Sequence, residues 1–237
     1  MTNNAIILFT RIPVPGKTKT RLQPFLSEDE CCLLHSAFLR DIFRVLREVT
    51  VPCDILVCYT PEGNLAELEA LLPEADDFFP QQGQDLGEKM HNAICHVLGR
   101  GYGRCLLIGS DLPLLRAKAV EEAFYSLESR DIVLCPTEDG GYYLIGMKAP
   151  CKDIFNLKYG VSTVFEGTLE LAGSLGITYA VGAATMDIDE PQDLLHLAER
   201  LEQEDMSVCP ETRAALEGFF VTEAGNLEYR PYADRKV

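Results

Sequence analysis

The 237-residue chain is long enough for one large domain with a well-buried core. Its 47% hydrophobic and 24% charged residues match the globular average and exclude a disordered chain, and no apolar run nears the roughly 20 residues that cross a bilayer. The net charge of −16 argues against a nucleic-acid partner, which calls for a basic face.

In chain order, residues 5–10 read as a buried strand that enters a Pro/Gly loop. Ser27, with Glu30 three residues later, predicts a capping box for a helix reaching about Val49. Further strands are predicted over 54–59, briefly at Phe78 and Phe79, and over 104–109, 131–136, 142–147, 177–181 and 186–188. Helices are predicted over 64–72, 86–98, 117–127 and 189–204, with Leu86, Met90, Ala93, Ile94 and Val97 along one side of the second. Strands alternating with helices imply an α/β fold: a doubly wound, mostly parallel sheet with helices on both faces. Ligands of such sheets bind beyond the carboxyl ends of the strands, at a switch point. Residues 1–204 form the predicted domain, and 205–237 a polar extension that packs on it or on a second copy in a homodimer. The opening Met-Thr-Asn-Asn has neither the basic nor the apolar region of a signal peptide, so a cytoplasmic protein with no membrane span is expected. The nine cysteines show no Cys-x-x-Cys spacing and are expected as unligated thiols in a reducing compartment.

Charge is unevenly placed. Residues 1–27 hold no acid but carry Arg11, Lys17, Lys19 and Arg21, the pattern of a segment that holds an anion. After the first strand, Gly16 lets the backbone approach a phosphate that these cations neutralise. Gly16-Lys17-Thr18 matches the end of a P-loop, but the glycine required five residues earlier is Arg11, and two prolines occupy the loop. Later, a hydrophobic strand ends in Gly109-Ser110-Asp111-Leu112-Pro113. Asp111 there supplies either a carboxylate for Mg²⁺ or a helix cap. Asp187 and Asp189 project to the same side of an extended segment. With Glu190 they place three acids within four residues, a repulsion that a cation would relieve; capping ahead of Pro191 is the competing explanation. Gln82-Gly83-Gln84-Asp85-Leu86-Gly87 is either a base-edge contact or a plain loop before a helix. Asp139-Gly140-Gly141-Tyr142 either admits a sugar or acceptor, or turns a hairpin.

Five segments, in this order, resemble the GT-A-fold nucleotide-diphospho-sugar transferase superfamily, and in particular a bacterial branch of glycosyltransferase-like proteins. They are Pro-x-Pro-Gly-x-x-Lys-Thr-Arg-Leu at Pro13 to Leu22, Gln-Gly-x-x-Leu-Gly at Gln82 to Gly87, Ile-Gly-x-Asp-x-Pro at Ile108 to Pro113, Asp-Gly-Gly-Tyr at Asp139 to Tyr142, and Asp-Ile-Asp at Asp187 to Asp189. A more distant resemblance is to the guanylyltransferases that act on 2-phospholactate or the molybdenum cofactor. The resemblance implies that Arg11, Gly16, Lys17 and Arg21 face phosphates and that Gln82 and Gly83 lie near the base. It also implies an acceptor or sugar near Asp139, Gly140 and Gly141, and Mg²⁺ or Mn²⁺ on Asp111 with Asp187 or Asp189. Two departures stand out: Arg11 where the branch more often has Lys, and Leu157-Lys158-Tyr159-Gly160 where it usually has Trp-Ser.

The expected activity is a metal-dependent transferase using a nucleotide or nucleotide-sugar and a small-molecule acceptor, with Lys17, Arg21 and Asp111 in catalytic roles. Glycosyl transfer leads. Nucleotidyl transfer to a small phosphorylated acceptor, or nucleotide binding without turnover, are the alternatives. No nucleophile–base pair is evident, so direct transfer is expected. His35 and His96 fall in helical patterns and read as structural.

Overall fold

Ser27 and Glu30 close the predicted capping box: the Ser27 hydroxyl accepts from the Glu30 amide (3.1 Å), and the Glu30 carboxylate accepts from the Ser27 amide (2.7 Å). The computed structural model describes residues 3–223 and 226–230. Its first half runs β1 (Asn4–Thr10), α1 (Glu28–Arg47), β2 (Asp54–Tyr59), α2 (Leu65–Leu71), β3 (Asp77–Pro80), α3 (Leu86–Gly99), β4 (Arg104–Gly109) and α4 (Ala117–Ser129). The second half runs β5 (Ile132–Pro136), β6 (Tyr142–Met147), α5 (Val164–Ser174), β7 (Tyr179–Val181), α6 (Pro191–Leu201), α7 (Pro210–Leu216), β8 (Phe220–Glu223) and β9 (Asn226–Tyr229).

Seven strands form one sheet in the order β3-β2-β1-β4-β6-β5-β7. All neighbours are parallel except β6, which runs antiparallel to β4 and β5. The period-two alternation of β1 divides its apolar residues between two cores. Ile6 and Leu8 join the side covered by α1, α2, α4, α6 and α7, whereas Ala5 and Ile7 join the side covered by α3 and α5. β1 has β2 on one side and β4 on the other, so the winding reverses across it. The crevice beyond the ends of β1 and β4 is therefore the switch point at which such sheets take ligands. Phe38 of α1 is fully buried beneath this edge, and truncating it to Ala would cost about 3–5 kcal/mol.

Several predicted elements change. The late strand begins at Tyr179 rather than at 177, because the Ile177 amide donates to Ala172 and closes the end of α5. Residues 186–188 are not a strand; the nearest pairing is a single bridge between Thr137 and Thr185. The last long helix starts at Pro191, with Glu190 as its cap, rather than at 189. Leu86 is 44% exposed and lies off the buried stripe of α3. Helix α5 and the elements after residue 204 are additional. There α7 packs on α1, where the Thr212 amide donates to the buried Asp41 carboxylate (2.7 Å), and Tyr229 meets the Phe25 ring at a tilt and donates to the Pro191 carbonyl. All nine cysteines are free thiols, and no helix among the described residues is long and apolar enough to cross a membrane.

Candidate functional site

The loop after β1 is pinned by a buried hydroxyl. Thr18 Oγ1 accepts from the Val14 amide (2.9 Å), and the Lys17 and Thr18 amides both donate to the Val14 carbonyl (3.0 and 3.1 Å). Those two amides are thereby taken up and are not free to cradle an anion. A short 3-10 turn at Thr20–Leu22 follows, and no helix starts at Gly16 as a P-loop requires. Between them Lys19 adopts φ 50, an uncommon conformation for a residue with a Cβ. Its side chain is turned into the protein and is 5% exposed.

Lys19 is the residue that draws the acids together. Its ammonium lies 2.6 Å from Asp111 Oδ1 and 3.7 Å from Asp189 Oδ1, and donates to the Ile188 carbonyl. The backbone explains the meeting of segments so distant in sequence. Ile188, fully buried, donates its amide to the Asp111 carbonyl (3.0 Å), which stitches the late segment to the loop leaving β4. Capping accounts for neither acid: α4 is capped at Arg116, and the cap of α6 is Glu190, supported by Asp193, whose carboxylate accepts from the Asp189 and Glu190 amides. The Asp189 side chain turns to Lys19 and to Arg21, 3.3 Å away.

These groups line a cleft of about 930 Å³, within the size range of small-molecule sites. Arg11, Gly16, Lys17, Arg21, Asp111, Asp187 and Asp189 all border it, as does Lys89 of α3. Lys17 stands at the rim, 64% exposed and 4.0 Å from Glu62. Gln82 and Gly83 do not border the cleft. Gln82 holds Asn92 through its carbonyl (2.9 Å), and Gly83, at φ 142, lets the loop pack against the first turn of α3 where a Cβ would strike the Lys89 amide. The glutamine that lines the cleft is Gln81, buried and bonded through Nε2 to the Thr10 carbonyl (2.9 Å). Asp139, Gly140 and Gly141 form the hairpin turn between β5 and β6, with Asp139 Oδ1 accepting from Thr137 Oγ1 (2.6 Å) and the Gly141 amide (2.9 Å). Gly140, at φ 88, is required there, because a Cβ would overlap the Ser162 carbonyl. At the far side Tyr142 borders the cleft and shares a hydrogen bond of 3.2 Å with the Tyr159 hydroxyl, in the segment that departs from Trp-Ser.

The acids are electrostatically unequal. Burial opposes ionisation of Asp111, but Lys19 first, then His35 and Arg11, outweigh it and hold its carboxyl below the ordinary range. Burial, then Asp139, with smaller contributions from Asp189 and Asp111, pushes Asp187 up to about 6. Burial and Asp111 also raise Asp189, against the pull of Lys19 and Arg21. Two carboxylates raised above the ordinary range beside a third is the condition that cation binding relieves. Among the described residues, no three His, Cys, Asp or Glu side chains stand ready-made as a metal cage. The donors are hard oxygens of the kind that suits Mg²⁺ or Mn²⁺, and an ammonium already stands as a cation between two of them, so the residues fit such an ion. His35 lies behind Asp111, buried, with Nε2 near Thr10 Oγ1 (3.2 Å) and the Arg11 carbonyl (3.3 Å). Burial lowers its pKa to about 4, so the ring is neutral.

Residues 42–159 match the bacterial protein family described as "uncharacterized protein conserved in bacteria (DUF2064)". A crystal structure from Desulfovibrio desulfuricans G20, of a protein provisionally called a nucleotide-diphospho-sugar transferase, superposes with a TM-score of 0.82 at 30% identity, covering 92% of this chain and 98% of that one. The 2-phospho-L-lactate guanylyltransferase of Methanopyrus kandleri is 29% identical over 188 residues, 77% of this chain and 86% of the relative. The enzyme of the same name from Methanothrix thermoacetophila is 29% identical over 213 residues, 87% of each.

Proposed function

We propose, from the premise that this chain belongs to the DUF2064 family and is a transferase, that it transfers a nucleotidyl group from a nucleoside triphosphate to a small phosphorylated acceptor. The observation that carries this reading is the Lys19–Asp111–Asp189 cluster beneath a cationic loop, in a cleft at the sheet's switch point. Arg11, Lys17, Arg21 and Lys89 offer positive charge to a triphosphate along one wall, and Asp111 with Asp187 or Asp189 offers carboxylates to its divalent ion on the floor. A bound Mg²⁺ or Mn²⁺ supplies charge neutralisation of the phosphates and fixes their orientation. An oxygen of the acceptor's phosphate attacks the α-phosphorus; the bond from that phosphorus to the bridging oxygen breaks, and pyrophosphate leaves. The attacking oxygen is already anionic, so no general base is needed. Lys19 and Arg21 take up the charge that develops on the leaving pyrophosphate. Gln81, Leu86 and Met90 form the wall toward the base, in place of Gln82 and Gly83, and Tyr142, its hydroxyl bonded to that of Tyr159, the wall toward the acceptor.

The guanylyltransferase relatives favour phosphorus as the centre attacked. Glycosyl transfer is kept as a second reading by the Desulfovibrio desulfuricans relative. The two differ in the bond broken and so in the product. Nucleotidyl transfer releases pyrophosphate from a nucleoside triphosphate, with GTP and 2-phospho-L-lactate the first pair to test. Glycosyl transfer releases a nucleoside diphosphate from a nucleotide-sugar. Product analysis with both donor classes decides between them.

A further inference from the structure

Lys19 occupies the position from which one cation serves both Asp111 and Asp189. We propose that Lys19 is an internal cation that keeps divalent ions off these carboxylates until the phosphates of a nucleotide draw its ammonium away, so that metal binding depends on nucleotide. This inference rests on the metal-and-nucleotide reading of the cleft given above, and it adds the order in which the ligands are accepted.

The ammonium meets three acceptors: Asp111 Oδ1 at 2.6 Å, Asp189 Oδ1 at 3.7 Å and the Ile188 carbonyl. The Ile188 carbonyl takes a hydrogen bond from it, and the two carboxylates hold it as ion pairs. A divalent ion on the same oxygens would sit at about 2.1–2.6 Å from them, within a few ångströms of the ammonium, and like charges so close in a partly buried cleft repel strongly. Lys19 must therefore leave for the ion to enter. At φ 50 the residue holds a left-handed conformation that a side chain bearing a Cβ adopts seldom, so its inward placement leans on the ion pairs that a competing anion would replace. Its destination is close at hand, because Gly16, Thr20 and Arg21 border the same cleft and Lys19 has a flexible four-carbon stem. A polyphosphate seated there offers the ammonium anionic oxygens and frees the carboxylates at the same time.

The test is Mn²⁺ binding without nucleotide, read by electron paramagnetic resonance on the full chain. Lys19→Met keeps the buried stem and removes the charge, and should bind Mn²⁺ about tenfold or more tighter than wild type. Lys17→Met removes the same charge from the exposed rim, where water screens it, and should change the affinity far less. Equal or weaker binding by Lys19→Met, or an equal gain in Lys17→Met, overturns the proposal. If Lys19→Met does not fold, Lys19→Gln takes its place. A measurement without variants also decides: crystals of wild type soaked in Mn²⁺ alone should keep Lys19 on Asp111 and show no ion there, whereas a nucleoside triphosphate analogue with Mn²⁺ should show the ion on Asp111 and Lys19 on a phosphate. An ion on Asp111 in both soaks overturns the internal-cation proposal alone. No ion in either soak overturns the metal-dependent reading beneath it as well.

Discussion

Replacing Asp111 with Asn keeps the shape of the side chain and removes its charge, so it isolates what the Lys19–Asp111 pair contributes. At 2.6 Å and an effective dielectric of about 20, the gross attraction is on the order of 5 kcal/mol. Two features reduce the net figure. The Asp111 side chain is 38% exposed and partly screened, and the stranded ammonium keeps Asp189 and the Ile188 carbonyl. The Lys19 side chain, however, is 5% exposed, and removing one partner of a buried pair leaves an undercompensated charge. The expected loss is about 1–3 kcal/mol, or roughly 3–10 °C in Tm for a domain of this size. Calorimetry should show it, and Lys19→Met in the Asp111→Asn background should restore part of it, since the stranded charge is then gone. Transferase turnover should fall by orders of magnitude in both the single and the double variant. An unchanged Tm in Asp111→Asn, or a double variant whose losses simply add, would refute the pairing.

Removing both rim cations, Lys17→Ala with Arg21→Ala, should weaken nucleotide binding by roughly 2–4 kcal/mol in calorimetry, the exposure of both side chains keeping each contribution modest; undiminished affinity in the folded double variant would take the loop out of the site. His35 has a folded pKa near 4 against an ordinary 6.5, so as pH falls the unfolded chain takes up a proton before the folded one does, and stability is lost between pH 6.5 and 4. Denaturant titrations should show about 3 kcal/mol less acid sensitivity over that window in His35→Gln than in wild type, and parallel curves would contradict the buried neutral ring. A thiol reagent at pH 8 should label native protein at no more than the half-buried Cys32, Cys53, Cys95 and Cys151, because burial raises the Cys31, Cys58, Cys105, Cys135 and Cys209 thiols and shields them. Stoichiometric zinc released together with that protection would show the cysteines to be ligands instead.

Elements with strong local signals were readable from residues alone: Ser27 and Glu30 start α1, and the apolar runs of β1 and β4 lie against each other at the sheet's centre. Helix α5 was obscure because it has no side-chain cap and carries Gly167 and Gly173 within it. Helix α7 spans only seven residues, and β8 and β9 four each, too short for a periodic pattern to stand out. Met186 and Ile188 looked like strand residues because they are apolar; in fact Ile188 is buried as the clasp that carries Asp187 and Asp189 to Asp111. The meeting of those acids with Asp111 was implied only by the family resemblance, whereas the crowding of Asp187, Asp189 and Glu190 was legible as a repulsion in need of a cation. The identity of the cation beside them was not, since Lys17 and Lys19 differ in sequence only by two positions. The contrast between Lys17 at the rim and Lys19 in the interior comes from a left-handed backbone at Lys19, which composition does not reveal. The one available signal was the Lys-Thr-Arg-Leu run, whose lysine is Lys19. Gln81 was overlooked for a related reason: its buried amide bonds β1 and β2, a contact between strands distant in sequence.

Nucleotidyl transfer requires that a nucleotide's α-phosphorus be attacked above Asp111. The most direct measurement follows phosphorus-31 resonances of the full chain with Mg²⁺, each common nucleoside triphosphate, and small phosphorylated acids as acceptors. Pyrophosphate and a new nucleoside-linked diphosphate should appear together, in equal amounts, for one triphosphate above the others, and both should vanish in Asp111→Asn. Nucleoside diphosphate released from a nucleotide-sugar, with no pyrophosphate from any triphosphate, would contradict nucleotidyl transfer and leave glycosyl transfer as the reaction of this cleft.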